Sequence, residues 1–107
     1  MANPETVLKR HILLALNRLP YARFFNNPIG FDELRGIHYG LAKGSSDLIG
    51  IVRGRFVGLE VKTIKGREED DQRLWRECIT RLGGFAYVVR SVDEAVRIVQ
   101  QIPEARP

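Results

Sequence analysis

The sequence of 107 residues has little cysteine and no long hydrophobic run, and each of these absences excludes a class of protein. With Cys78 as its single cysteine, the chain cannot form an internal disulfide framework or a cysteine-rich zinc site. No apolar stretch approaches the roughly 18 residues that a membrane span needs. The first residues, MANPETVLKRH, lack the apolar segment of a signal peptide, so we expect a cytoplasmic protein with no membrane partner.

What remains is the composition of an ordinary globular protein with a basic charge balance. Hydrophobic residues make up 44% of the chain and charged residues 28%, and we expect one domain over residues 1–107. The formal net charge is +4. That balance fits a nucleic-acid partner, although many small basic proteins bind no nucleic acid.

The apolar periodicity predicts an α/β protein whose helices pack against a mixed sheet, in the order helix, strand, hairpin, helix, strand, helix. Asn3 and Pro4 open the first helix. The hairpin has its tight turn at Arg53-Gly54. Glycine and proline recur in segment 26–46, which we interpret as a loop that shapes a site. The predicted elements are NPETVLKRHILLALNRL (helix), YARFF (strand), DLIGIVRG and RFVGLEVKT (hairpin), GREEDDQRLWRECITRLGG (helix), FAYVVR (strand) and SVDEAVRIVQQI (helix).

The helix after the hairpin is predicted to turn one apolar face toward the sheet, and Cys78 on that face is expected to be a small buried hydrophobic residue. The final helix is expected to begin with Ser91 and Glu94 in capping-box spacing. The apolar face of the helix after the hairpin consists of Leu74, Trp75, Cys78, Ile79 and Leu82.

Three charged residues interrupt the apolar hairpin. Glu60 and Lys62 are two residues apart and therefore project from one face of their strand, whereas Val61 projects from the other. Asp47 opens the neighbouring strand and can approach Glu60 if the register permits. Two adjacent carboxylates repel unless a cation lies between them, and Mg²⁺ is a suitable hard ion. The alternative is a structural ion pair, Glu60–Lys62 or Asp47–Lys62, at a sheet edge.

The ordered motifs G-S-S-D, L-E-V-K, K-G-R, D-Q-R-L-W and GG-x-A-x-V-V-R distinguish these possibilities. Together they resemble the virus-type replication-repair nuclease family, a branch of the PD-(D/E)xK nuclease superfamily. The resemblance extends from about Asn26 to Val96. It implies a restriction-endonuclease-like fold, with a mixed β-sheet flanked by helices in the order α-β-β-β-α-β-α.

The resemblance also implies roles for individual residues. Asp47 and Glu60 match the residues that bind the divalent metal, Mg²⁺ or Mn²⁺, with the carbonyl of Val61 as a further ligand. Lys62 matches the catalytic lysine. Gln72 matches a glutamine on the following helix. Glu5 matches the first-helix glutamate that completes the metal site in many superfamily members.

Two positions depart from the family pattern. Ser46 stands where the superfamily motif has proline, and Phe25 stands where family members often have a basic residue. The candidates for phosphate contacts are therefore other basic residues near the predicted site. They are Arg23, Arg35, Lys43, Lys65 and Arg67.

The activity that the resemblance implies is metal-dependent hydrolysis of phosphodiester bonds in DNA. Minimal phage and bacterial members of the family are expected to form homodimers and to cut branched DNA, including four-way junctions. Two active sites related by a two-fold axis suit a junction of similar symmetry. The alternatives are a DNA-binding or assembly module that does not cut, and a sequence-specific endonuclease.

Overall fold

Three helices and six strands account for the regular structure of residues 3–106, which are the residues that the computed structural model describes. The first helix begins as the sequence predicts, because the Asn3 side chain accepts a hydrogen bond of 2.8 Å from the backbone N–H of Glu5. The elements are α1 (Pro4–Leu16), β1 (Ala22–Asn26), β2 (Gly30–Asp32), β3 (Ile37–Tyr39), β4 (Leu48–Val52), β5 (Arg55–Val61), α2 (Asp70–Arg81), β6 (Phe85–Val89) and α3 (Val92–Gln100).

Four of the strands form a mixed sheet in the order β1-β4-β5-β6. Strands β1, β4 and β5 are antiparallel neighbours, and β6 runs parallel to β5 after the α2 crossover. The turn between β4 and β5 consists of Arg53 (φ 49°) and Gly54 (φ 83°). Left-handed backbone at both central residues is typical of a two-residue type I′ hairpin, so the predicted tight turn is confirmed.

The main core lies between one face of the sheet and the helices α1 and α3, which also pack against each other. The opposite face of β5 receives α2, and Gly58 makes this possible. A Cβ atom at Gly58 would lie 2.9 Å from the Trp75 ring, so the absent side chain admits the indole. The fully buried core side chains include Ile12, Leu16, Phe24, Leu48, Val57, Leu59, Val61 and Val99.

The predicted fold class, a mixed sheet flanked by helices, is confirmed. The predicted start of the last helix is confirmed as well, since Ser91 Oγ accepts a hydrogen bond of 3.0 Å from the backbone N–H of Glu94. Among residues 3–106, no helix is both long and apolar enough to cross a membrane.

The segment predicted to be a loop contains a small antiparallel sheet of its own, formed by β2 and β3. The prediction for residues 26–46 was therefore incomplete, and the order of elements gains two strands. Each strand has three residues, which is too short for an alternating pattern to be recognised in the sequence.

The predicted apolar face of α2 is only partly correct. Leu74 is 58% exposed and Leu82 is 74% exposed, while Trp75 and Ile79 are half-buried. Cys78 is half-buried rather than buried. Because α2 packs mainly against the edge strand β6, the sheet covers a narrower stripe of the helix than its apolar periodicity suggests.

Candidate active site

The register of the central hairpin brings Asp47 and Glu60 to the same end of the sheet. Leu48 of β4 pairs with Leu59 of β5, so the next position along the ladder sets Asp47 opposite Glu60. The Asp47 carboxylate is fixed there because its Oδ2 accepts a hydrogen bond of 2.8 Å from the backbone N–H of Val61. The two predicted carboxylates therefore lie on neighbouring strands, opposite each other at the same end of the sheet.

Asn27, a residue to which sequence reasoning assigned no role, holds the chain that leads into Asp47. Its backbone N–H donates to the carbonyl of Asp47 at 2.8 Å. Its buried side-chain amide donates to Ser45 Oγ at 2.8 Å and to the Ser46 carbonyl at 2.9 Å. A buried asparagine satisfied by three partners of one loop fixes the backbone that carries the carboxylate.

Glu60 is the most enclosed charged residue of the site, with 4% of its surface exposed. Its Oε1 accepts a hydrogen bond of 3.0 Å from Gln72 Nε2 and lies 4.0 Å from Lys62 Nζ. Its Oε2 is buried and, within residues 3–106, receives no hydrogen bond. An ionised carboxylate with one unsatisfied buried oxygen is costly, so this atom requires a proton or a cation.

The electrostatics of the carboxylate pair agree with that requirement. Burial, the largest cause, acts together with the adjacent Asp47 carboxyl group and its negative charge to raise the pKa of Glu60 to about 9. The charge of Glu5 acts in the same direction, whereas Lys62 opposes it. A divalent cation bound between Asp47 and Glu60 would offset the repulsion between their negative charges.

Gln72 connects the first turn of α2 to this pair. Its Oε1 accepts a hydrogen bond of 2.8 Å from the backbone N–H of Glu69, while its Nε2 donates to Glu60. A primary amide offers an acceptor and a donor at once, and this position uses both. This contact turns Gln72 toward β5, which Trp75 of the same helix also meets at Gly58.

Lys62 lies beside the carboxylates and is 9% exposed, with its side chain on the same face as Glu60. The Glu60–Lys62 ion pair that the sequence offered as a structural alternative is therefore present, at the long distance of 4.0 Å. The cation next to Asp47 is instead Lys9, whose Nζ lies 3.7 Å from Asp47 Oδ1. Lys9 stands one helical turn after Glu5, which is the only sequence signal that could have identified it.

Glu5, in the first turn of α1, is near enough to the site for its negative charge to contribute to the raised pKa of Glu60. In the part of the chain that the structure describes, no group of three or more His, Cys, Asp or Glu side chains is arranged to hold a metal ion. The two carboxylates that the structure brings together are thus those of Asp47 and Glu60, and Glu5 stays a predicted third ligand.

The five predicted phosphate-contacting residues are all exposed, but they do not form one cluster. Lys65 and Arg67 lie in the loop after Lys62, and Lys43 lies in the turn before Asp47. Arg35 belongs to the β2–β3 turn, where it pairs with Asp32 at 3.7 Å. Arg23 lies on β1, where it pairs with Ile51 of β4. It is about 10 Å along the strand from Asn26, and the fold does not bring it to the carboxylates.

Comparison with known proteins relates the fold to one group of structures. No protein-family model and no curated protein matches the sequence. A solved structure described as a "VRR_NUC domain" is 19% identical, has a TM-score of 0.68, and is matched over 95% of this chain and 100% of that chain. A second, described as a "VRR_NUC domain protein", is 19% identical with a TM-score of 0.71, over 94% of this chain and 88% of that chain. The chain therefore has the restriction-endonuclease-like fold of these domains, as the sequence resemblance predicted.

Proposed function

We propose that this protein, which has the fold of the VRR_NUC domains, is a metal-dependent deoxyribonuclease of the virus-type replication-repair nuclease family. The observation that supports it most strongly is Glu60, a buried carboxylate that contacts Gln72 and Lys62 and lies opposite Asp47. One of its oxygens receives no hydrogen bond from any of residues 3–106. Enzymes maintain such costly, strongly perturbed carboxylates where chemistry requires them.

The residues present fit Mg²⁺ or Mn²⁺. The orphaned Glu60 Oε2 and the Asp47 carboxylate are hard oxygen donors, and Mg²⁺ takes one or two carboxylates together with several waters. The Val61 carbonyl is proposed as a further ligand, and Glu5 as a ligand acting directly or through water. When bound, the metal would offset negative charge that develops on the phosphate during hydrolysis.

The chain itself would orient the reactants. Lys62 lies largely buried beside Glu60, where its ammonium group can position the attacking water or stabilise charge on a phosphate oxygen. Gln72 holds Glu60 in place, and the Val61 N–H holds Asp47. Because these hydrogen bonds already hold both carboxylates in place, the groups need not rearrange during the reaction. Such positioning lowers the activation barrier for hydrolysis.

The basic residues around the site would bind the DNA backbone. Lys65, Arg67 and Lys43 lie in the two loops that flank the carboxylate pair, and we propose phosphate contacts for them. Arg35 and Arg23 lie further away and would contact a longer duplex. The net charge of +4 supports such an electrostatic contribution.

A finer proposal is that the protein acts as a homodimer on branched DNA such as four-way junctions. Two copies related by a two-fold axis would present two carboxylate pairs to a substrate of similar symmetry. A sequence-specific endonuclease would in addition require elements that read base edges in a groove of the DNA.

The test is to incubate the protein and Mg²⁺ with labelled linear duplex, flap and four-way junction DNA, and to measure its mass by light scattering. Cleavage of the junction by a dimer supports the proposal. Binding without cleavage of any substrate would indicate the non-cutting module, and cutting at one short motif in linear duplex would indicate a sequence-specific endonuclease. A monomer that cuts would overturn only the homodimer.

A further inference from the structure

The loop that follows Lys62 is held in one conformation by a single arginine. Arg90, directly after β6, donates from Nη1 to the carbonyls of Thr63 and Gly66, both at 2.6 Å, and more weakly to that of Ile64 at 3.5 Å. The backbone N–H of Gly66 closes the turn on the Thr63 carbonyl at 3.0 Å. A guanidinium has several donors in a rigid plane and suits this task of binding neighbouring carbonyls.

This fixed turn presents an apolar side chain to solvent. Ile64 is 87% exposed, and the basic residues Lys65 and Arg67 that follow it are exposed as well. A single exposed aliphatic residue is common and by itself has no meaning. Ile64 differs in that its backbone is anchored, its neighbours are cationic, and it stands two residues after the proposed catalytic lysine.

Ile64 also lines a surface cleft that it shares with α1. Together with Thr63 and Lys65 it forms one wall of a cleft of about 670 Å³, and Glu5 and Leu8 of α1 form the other. Because Ile64 stands two residues after Lys62, which lies beside Glu60, the cleft adjoins the candidate metal site. A DNA strand whose phosphate reached Asp47 and Glu60 would therefore pass close to Ile64.

We propose that Ile64 is a wedge that inserts between bases of the DNA beside the cleaved phosphate. Phosphate contacts by Lys65 and Arg67 would press the turn against the groove, and proteins use aliphatic side chains in this way to separate neighbouring bases. Separation costs least where bases are already unpaired or poorly stacked. Ile64 would thus favour branched over linear DNA. This inference rests on the proposed nuclease function.

The experiment compares Ile64→Ala with Ile64→Met, which keeps a long apolar side chain, and with Leu82→Ala as the matched control. Leu82 is a similarly exposed aliphatic residue at the end of α2 remote from Gln72. Junction DNA carries 2-aminopurine next to the branch, because the fluorescence of this base rises when it loses its stacking partners. Binding is followed with Ca²⁺ in place of Mg²⁺, and cleavage is followed with Mg²⁺.

The wild-type protein, Ile64→Met and Leu82→Ala should raise the fluorescence and prefer the junction over linear duplex. Ile64→Ala should lose the fluorescence rise and cut the junction about tenfold more slowly, while its rate on linear duplex changes little. Thermal melting checks that every variant is folded. An Ile64→Ala protein that keeps both the fluorescence rise and the junction preference overturns the wedge but leaves the nuclease intact. A wild-type protein that cuts no DNA overturns the nuclease and the wedge with it.

Discussion

Gln72 donates a hydrogen bond of 3.0 Å to Glu60 Oε1 and accepts one of 2.8 Å from the backbone N–H of Glu69, so one amide joins the start of α2 to the candidate metal site. The helix start and the buried carboxylate are therefore positioned by the same side chain. Replacing Gln72 with glutamate would remove the N–H group that donates to Glu60. The substitution therefore tests the site directly.

Gln72→Glu should lower the rate of DNA cleavage by about ten- to a hundredfold. The substitution removes a hydrogen bond to a charged group and places a second negative charge against Glu60. The measurement is single-turnover cleavage with Mg²⁺, with Gln100→Glu on the exposed end of α3 as the control. Equal rates for Gln72→Glu and the wild type would contradict the proposed positioning.

The raised pKa of Glu60 predicts how stability changes with pH when no divalent metal is present. Its pKa is about 9 in the folded protein against an ordinary value of 4.5, so the folded state binds more protons between these values. The free energy of unfolding should consequently fall as the pH rises through that window. Urea unfolding at about pH 6 and about pH 8.5 measures the difference.

Glu60→Gln removes the titrating group and should flatten this pH dependence, whereas Glu33→Gln on the exposed β2–β3 turn should leave it unchanged. Added Mg²⁺ should stabilise the wild type more at the higher pH, because binding requires the deprotonated carboxylate. A pH dependence that persists in Glu60→Gln would place its origin elsewhere in the protein.

Lys62→Met should reduce cleavage by at least about a hundredfold and leave DNA affinity almost unchanged. Methionine fills the space of the largely buried lysine stem but carries no charge. Lys43→Met, in the exposed turn before Asp47, should have the opposite profile, with weaker binding and normal turnover at saturating DNA. Filter binding and single-turnover kinetics separate the two effects. Near-normal turnover by Lys62→Met would exclude a catalytic role for this lysine.

Gly44→Ala should lower the free energy of unfolding by about 3 kcal/mol, against about 1 kcal/mol for Gly36→Ala. Both glycines have positive φ angles, 87° and 66°, so both substitutions incur the cost of left-handed backbone. A Cβ at Gly44 would also overlap the carbonyl oxygen of Asp71, whereas a Cβ at Gly36 would meet open space. Urea unfolding gives both values. Equal losses of unfolding free energy would mean that α2 shifts away from the new Cβ without any loss of stability.

Arg90→Met should loosen the turn over residues 63–66, because methionine has no N–H group to donate to the carbonyls that Arg90 Nη1 binds. Limited trypsin digestion should then cut after Lys65 or Arg67 about tenfold faster, and DNA cleavage should slow. Arg97→Met on the exposed side of α3 is the control. Unchanged trypsin sensitivity would show that other contacts hold the turn.

Local sequence patterns were sufficient for much of the fold. The Arg53-Gly54 pair specified the hairpin turn, Asn3 and Ser91 marked helix starts, and strand alternation assigned Glu60 and Lys62 to one face. Each of these features depends on backbone geometry within a few residues, so periods and turn residues reveal it. The three-residue strands β2 and β3 contain too little pattern to be recognised in this way.

The site itself depended on long-range packing. The sequence allowed Asp47 to meet Glu60, but only the register of β4 against β5 and the Val61–Asp47 hydrogen bond determined that it does. Burial, the largest cause of the raised Glu60 pKa, arises only when the sheet and α2 close around that carboxylate.

The sequence by itself determined which side chains carry the candidate chemistry and which face of β5 presents them, because side-chain direction follows the local backbone. Only the tertiary structure decided which neighbours support them: Lys9 beside Asp47, Asn27 behind the Asp47 loop, and Arg90 beneath the Ile64 turn. These partners are separated from their targets by roughly twenty residues or more along the chain, and contacts of that span are set by the packing of whole elements.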